Sequence, residues 1–410
     1  MVEHSIYQDI AARTGGDIYL GVVGPVRTGK STFIKRFMDT LVLPNIPNPY
    51  DRERANDELP QSAAGKTVMT TEPKFIPDEA VEITVGDSAK MRVKMIDCVG
   101  YIVPEALGHV ENGEPRMVMT PWSDAPMPFE KAAEIGTRKV ITDHSTIGVV
   151  VTTDGSIGEI PRESYVESEK RVVSELKALG KPFVMVLNAV DPGRAESIQL
   201  AYELEEAYHV PVALVNCLEL NGDDIRNILE MVLLEFPVEE IGIRLPAWTT
   251  VLGKEHWLSV SLTESILKNA ADISRIGEIS DAMNALRENE YIEEVRIAQI
   301  DLGSGRAEVE LRFDEGLYYR IISELSGFSI GDEESLIRLL CELAEIKKQY
   351  DKVSGALQEV SERGYGIVMP DIEDLKLEEP EIVRQSSGYG VRLKASAPSI
   401  HMIRDRKSVV

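Results

Sequence analysis

Short, nearly uninterrupted apolar runs alternate with amphipathic stretches through the first 237 residues. Ile18–Val23 is apolar, ends in a glycine-rich turn and reads as a buried strand. Ser31–Leu43 follows with helical spacing at Phe33, Ile34, Phe37 and Leu41, and Pro44, Pro47 and Pro49 end that helix. Asp51–Glu58 is polar and reads as a solvated loop or helix. Glu82–Val85 and Arg92–Ile96 are predicted as neighbouring strands. Val103–Phe129 is rich in proline and glycine and reads as a long irregular insertion, of a kind that is often functional. Ile147–Thr152 and Pro182–Leu187 are buried strands, and Val210–Val215 is another. The helices between and after them are predicted at Glu167–Leu179, Ile198–Ala207 and Ile225–Glu235. Buried strands alternating with helices predict an α/β fold, a parallel-rich sheet with helices on both faces.

The rhythm changes at Pro237. Lys254–Asn289 is mostly helical, and Val295–Leu302 with Arg306–Phe313 flanks Gly303-Ser304-Gly305 as a hairpin. Helices are predicted over Glu315–Leu325 and Glu333–Ser361, the second with Leu336, Leu339, Leu340, Leu343 and Ile346 on one face. Glu381–Gln385 and Val391–Ala395 flank a second hairpin at Ser387-Gly388. This part is α+β. The boundaries expected are therefore 1–237 for an α/β domain and 238–404 for an α+β domain.

Charge narrows the function classes. The 410 residues carry 69 Asp and Glu against 44 Lys and Arg, a formal net charge of −25. Such a chain repels nucleic-acid phosphates and anionic lipid surfaces, so nucleic acid is not an expected partner. No apolar run approaches the ~18 residues of a membrane span. The three cysteines, Cys98, Cys217 and Cys341, are far apart and have no zinc-ligand spacing.

One motif carries definite chemistry. Gly24-Pro25-Val26-Arg27-Thr28-Gly29-Lys30-Ser31 fits G-x-x-x-x-G-K-[ST], with a strand before it and a helix after it. Glycines let backbone N–H groups approach a β-phosphate, and the helix N-terminus adds its dipole. Lys30 is placed to neutralise β/γ-oxygens and the Ser31 hydroxyl to ligate Mg²⁺. Gly24, Thr28, Gly29 and Thr32 complete the phosphate cradle. Arg27 lies inside it, available to a γ-phosphate or to an acidic surface neighbour. Asp97-Cys98-Val99-Gly100 is a D-x-x-G at a strand end, where Asp97 faces the Mg²⁺ side and the Gly100 N–H a γ-phosphate. Between the two motifs, Thr70 and Thr71 are candidates either for a switch threonine completing the Mg²⁺ shell or for a plain strand edge. Asn188-Ala189-Val190-Asp191 stands where guanine readers carry N-K-x-D. Ala189 replaces the lysine, and Val215-Asn216-Cys217 does not match the usual S-A-K. Asp191 retains a carboxylate able to read guanine.

The stretches TGGDIYLGVVGPVRTGKSTFIKRFM, DELPQSAAGKTVMTTEPKF, IDCVGY, AAEIGTRKVITDHSTIGVVVTTDGSIG and GVRLKASAPSIHMI resemble the stage IV sporulation protein A family, the spore-coat morphogenetic ATPases of endospore-forming bacteria. The resemblance implies a P-loop domain of the translation-factor-like GTPase type that uses ATP. It implies ATP hydrolysis to ADP and phosphate, coupled to self-assembly into a static polymer, the basement layer of the coat. That layer lies in the mother-cell cytoplasm at the outer forespore membrane, held by a small amphipathic membrane-anchoring peptide and built upon by other coat morphogenetic proteins. Lys30, Ser31 and Asp97 take the phosphate and Mg²⁺ roles, and Thr70 and Thr71 resemble the family's sensor threonines. The family extends past APSIHMI as a small C-terminal domain. Residues 405–410 do not fit the family and match one reading frame of a common sequencing-adapter oligonucleotide, so they are expected to be an artefactual tail. A conventional GTPase switch that recruits partners is the alternative expectation.

Overall fold

The computed structural model describes residues 6–60, 73–85, 89–106, 110–111, 114–120, 123–370, 374–385 and 388–405. Two compact units divide the chain, Met1–Arg312 and Phe313–Val410.

The first unit begins with helix α1 (Ile6–Arg13) and strand β1 (Asp17–Val23). Helices α2 (Lys30–Phe37) and α3 (Pro49–Asp57) follow, then strands β2 (Lys74–Val85) and β3 (Ala89–Asp97). Strands β4 (Val110–Glu111) and β5 (Glu114–Pro115) pair, as do β6 (Met117–Thr120) and β7 (Ser123–Pro128). The described part of the predicted irregular insertion therefore contains short antiparallel pairs. Helix α4 (Phe129–Lys139) leads into β8 (Ile147–Thr153), α5 (Val166–Leu179), β9 (Phe183–Asn188), α6 (Ala195–Tyr208), β10 (Val212–Val215) and α7 (Gly222–Leu234).

A six-stranded sheet runs in the order β10-β9-β8-β1-β3-β2. Every neighbouring pair is parallel except β2 on β3. β8 and β9 are buried along their whole length, which explains their continuous apolar runs. Val150, Met185 and Leu187 pack with Val172, Val173 and Leu176 of α5 and with Leu204 of α6. The alternate residues Val149, Val151, Val184 and Val186 are also buried, facing the opposite side where α2 and α7 lie against the sheet. α7 starts with a capping box in which the Asn221 side chain accepts from the amides of Asp223 and Asp224 and Asp224 accepts from Asn221.

Two elements depart from the sequence pattern. The predicted helix Ser31–Leu43 is α-helical only to Phe37. It widens into a π-turn over Met38–Val42 and a short 3₁₀ turn over Leu43–Asn45. The extra residue in the turn keeps Met38, Leu41 and Val42 buried before Pro44 stops the chain's helical course. β2 runs far longer than Glu82–Val85. Its register shifts between Ile76 and Val81, where Pro77 interrupts the pleat. Proline is tolerated there because β2 is an edge strand.

The rest of this unit holds β11 (Glu240–Arg244), α8 (Trp257–Ala270), α9 (Ile279–Asn284), β12 (Ile292–Asp301) and all but the last residue of β13 (Arg306–Phe313). The sheet order is β11-β13-β12, with β11 parallel to β13. The second unit holds α10 (Glu315–Ser326) and the 31-residue α11 (Glu333–Arg363). Strands β14 (Tyr365–Val368), β15 (Lys376–Leu377), β16 (Glu381–Gln385), β17 (Gly388–Arg392), β18 (Ala395–Ser396) and β19 (Ile400–Ile403) follow. They pair as β14·β19, β15·β18 and β16·β17. Of the apolar stripe of α11, Leu336 and Leu339 are half-buried, while Leu340 and Ile346 are 55% and 61% exposed.

Candidate active site

Strand β1 delivers the chain to Gly24, and α2 begins at Lys30, so the Gly24–Gly29 loop lies at the carboxyl edge of the sheet. Open α/β sheets bind ligands there. Gly29 caps α2 with φ 97. A Cβ on Gly29 would stand 2.3 Å from Asn188 Nδ2, so the position requires glycine on two grounds. The buried Thr28 hydroxyl donates to Pro25 O at 3.0 Å and shapes the loop. Thr32 follows in the first turn of α2. Arg27 adopts φ 63, a left-handed conformation uncommon outside glycine and concentrated at functional sites. Burial lowers its pKa against the raising effect of Tyr165.

Lys30 is buried, 6% exposed. Its ammonium donates to Pro25 O at 2.6 Å and Gly24 O at 3.5 Å, so it is held by the loop it follows. Desolvation lowers its pKa, opposed by Cys98 and Asp97, and Arg27 lowers it further. The Ser31 hydroxyl donates to Asp97 Oδ2 at 2.7 Å. Asp97 Oδ1 is buried and has no hydrogen-bond partner among the described residues. Burial raises the Asp97 pKa, with the Ser31 hydrogen bond and Lys30 acting the other way. Two oxygens and an unsatisfied lone pair thus converge beside a buried cation. Cys98 donates to Val22 O, and burial pushes its thiol up to about 11, so it stays protonated at neutral pH.

The D-x-x-G loop is fastened to the P-loop. Val26 N donates to Tyr101 O at 2.9 Å, and Tyr101 N to Gly24 O at 3.2 Å. Gly100 has φ 93, and a Cβ there would meet Gly24 O at 2.2 Å and Lys30 Nζ at 2.6 Å. Tyr101 points away from this cradle. Its phenol donates to Glu175 on α5, and the Arg171 guanidinium lies 4.9 Å over its ring. Desolvation, then Glu175, drives the Tyr101 pKa up. The residue after D-x-x-G is therefore an anchor to α5. Nothing in the sequence marks that anchor, because Tyr101 and Glu175 are 74 positions apart. Tyr101→Phe is expected to cost about 1 kcal/mol of stability through the lost hydrogen bond. Nucleotide turnover should stay within about twofold of wild type. Thermal unfolding and phosphate release measure the two, and a hundredfold fall in turnover would make Tyr101 part of the chemistry.

Asn188 ends β9 and spans two loops. Its Nδ2 donates to Thr28 O at 3.1 Å and its Oδ1 accepts from Cys217 N at 3.0 Å. It joins the P-loop to the turn after β10. Ala189 is buried. Asp191 is exposed, and its Oδ1 accepts from Gly193 N at 3.0 Å. The structure thus brings together Gly24, Arg27, Thr28, Gly29, Lys30, Ser31, Thr32, Asp97, Gly100 and Asn188, with Asp191 on the neighbouring loop. Thr70 and Thr71 lie outside the described residues.

Residues 1–237 match the family described as Stage IV sporulation protein A, ATPase domain, and residues 238–408 match Stage IV sporulation protein A, middle domain. The chain is 50% identical over 404 residues to the stage IV sporulation protein A of Bacillus anthracis, covering 98% of this chain and 82% of that one. It is 49% identical over 403 residues to that of Clostridioides difficile, with the same shares covered. It is 51% identical over 404 residues to that of Bacillus subtilis, again at 98% and 82%. Among the described residues, no helix is long and apolar enough to cross a membrane. A P-loop on a mixed α/β sheet and identity at about half the positions along nearly its whole length have one reading: the chain belongs to the stage IV sporulation protein A family and is a sporulation ATPase.

Proposed function

We propose that this ATPase binds MgATP at the Gly24–Thr32 cradle, and that hydrolysis drives its assembly with further copies of itself into the basement layer of the spore coat. The observation that carries the site assignment is the Ser31–Asp97 pair beside buried Lys30, with Asp97 Oδ1 left open. A hydroxyl and a carboxylate are hard oxygen donors, and Mg²⁺ is held by few protein ligands with water and phosphate completing its shell. Ser31 and Asp97 fit that ion. When bound, it would neutralise charge developing on the transferred phosphoryl group. Lys30, the loop amides and the α2 N-terminus orient the phosphates, and Arg27 and the Gly100 N–H approach the γ-phosphate. Thr70 and Thr71 act as sensor threonines that couple hydrolysis to the assembling conformation.

The domains are 1–237 for the ATPase, of the translation-factor-like GTPase type, and 238–404 for the α+β middle domain. The family matches, which divide at the same residue, support this division. The exposed apolar stripe on α11 supports self-association, being surface of the kind that association covers. The location we propose is the mother-cell face of the outer forespore membrane. Partners there are a small amphipathic anchoring peptide and other coat morphogenetic proteins. A GTPase switch is the second reading, favoured by the Asn188 bridge to the P-loop and the exposed Asp191 carboxylate.

Phosphate release with ATP and GTP side by side separates the two readings. Faster turnover of ATP is expected, and preference for GTP would overturn the ATP assignment. The Thr70→Ala, Thr71→Ala double variant is expected to bind ATP within a few-fold of wild type while losing hydrolysis or sedimentable polymer. Normal turnover and assembly in that variant would remove the sensor role.

A further inference from the structure

From Cys341 to Tyr350 every residue of α11 is exposed. Apolar side chains nevertheless recur through that stretch with a strict period. Leu336, Leu343, Tyr350 and Leu357 stand seven residues apart, and Leu339, Ile346, Val353 and Val360 repeat the same step three positions later. The alternation of three and four is unbroken from Leu336 to Val360. A helix that packs on a globular body carries a broader stripe with a period of 3.6. A strict seven-residue repeat keeps a narrow seam turned toward another helix.

The two ends of the seam have different surroundings. β14 packs against the last turns of α11, where a Cβ on Gly366 would lie 2.2 Å from Ala356 O. Ala356 is buried there, and Val353 and Val360 on either side of it are half-buried. Leu343, Ile346 and Tyr350, earlier in the same repeat, are exposed. The charges beside the open part show what fits it. With Leu336 and Leu339 at the core positions a and d, Glu342 falls at g and Lys347 at the following e. In parallel helices in register, a g residue of one faces the next e residue of its neighbour. Glu342 of one copy would then meet Lys347 of another, so the seam is complementary to itself. Both residues are exposed, and Lys347 Nζ holds only an exposed ion pair with Asp351 of its own helix, at 3.1 Å. Leu at a with Ile or Val at d favours assemblies of more than two strands.

We propose that α11 is a self-association surface: its Leu336–Tyr350 seam docks, parallel and in register, on the same seam of further copies of this chain. The apolar repeat supplies the buried core of the contact, and the Glu342–Lys347 pairs across it set orientation and register. This surface rests on the self-assembly reading proposed above and gives it a helix, a direction and a charge pair.

The test is sedimentation of the full chain over a range of concentrations, with ATP and without it. The variants are Ile346→Asp, Glu342→Lys, Lys347→Glu and the last two combined. All three positions are exposed, so each variant should unfold at the wild-type temperature. Ile346→Asp is expected to abolish association by placing a charge in the seam. Each single charge reversal sets like charges against each other at every g–e contact and should weaken association by about tenfold. The combined variant exchanges the two charges, restores the attraction and should associate as wild type does. An antiparallel pair opposes g with g and e with e, so a single reversal there leaves like facing like and association unmoved. Wild-type association in Ile346→Asp overturns the surface. Association lost in Ile346→Asp but indifferent to the charge reversals means another partner segment or direction, and overturns the parallel docking. Both results leave the self-assembly reading intact. A wild-type chain that stays monomeric at every concentration, with ATP present, overturns both.

Discussion

Lys30→Ala is expected to remove nucleotide binding and phosphate release while leaving the nucleotide-free protein at least as stable as wild type. The two halves have one cause. Among the described residues, the buried Lys30 ammonium faces backbone carbonyl oxygens of its own loop at hydrogen-bond distance, a poor substitute for water. Its charge becomes favourable when phosphate oxygens arrive. Removing a preorganised charge of this kind costs on the order of 10²–10³ in turnover, compounded by weakened binding. The stability half has a pH signature. Burial lowers the Lys30 pKa below its unfolded value of ~10.4. The unfolded chain therefore binds the proton more tightly, and the charged lysine destabilises the fold at neutral pH. That penalty fades as pH rises from the lowered folded pKa toward ~10.4. Lys30→Ala should accordingly unfold at an equal or higher temperature at pH 7, with the gap narrowing at alkaline pH. Nucleotide affinity within a few-fold of wild type would show that Lys30 does not hold phosphate. A large loss of stability without nucleotide would show that its carbonyl contacts matter more than its desolvation.

Much of this site is legible along the chain because its parts are local. The strand, glycine turn and helix that frame Lys30 are contiguous, and D-x-x-G ends a strand whose apolar alternation is plain. What escapes the sequence depends on partners far away. Tyr101 follows D-x-x-G directly, yet its phenol is bound to α5. Asn216 looks like a failed match to a guanine motif, and the hydrogen bonds it gives to Val190 O and takes from Leu218 N are not readable from the sequence. The extent of β2 is hidden for another reason: Pro77, Asp78 and Glu79 break the alternation, and only pairing with β3 restores the strand. The α11 stripe has a helical period, but period alone does not say whether a face is covered, and here it is open from Leu340 to Ile346.

Gly100→Ala is expected to lower turnover by about a hundredfold and to destabilise the nucleotide-free protein beyond the strain of its backbone. Gly100 has φ 93, where an alanine costs about 1–3 kcal/mol by conformation alone. The larger effect is steric. The added Cβ would lie 2.2 Å from Gly24 O, a backbone atom that cannot swing aside, and 2.6 Å from Lys30 Nζ. Gly24 O also accepts from Tyr101 N, so relieving the clash means parting the two loops proposed to hold the phosphates and Asp97 in register. A displacement of about 1 Å in a catalytic group can cost a hundredfold in rate. Gly180 supplies the control. It closes α5 with φ 64, and a Cβ there meets nothing within 4 Å. Gly180→Ala therefore carries the conformational strain without the collision and should lose stability alone, with turnover per folded molecule preserved. Thermal unfolding and phosphate release on the two variants separate strain from collision. Equal effects of Gly100→Ala and Gly180→Ala on both measurements would mean that the fit of Gly100 against the P-loop is unimportant, and that the D-x-x-G glycine serves only its own backbone conformation.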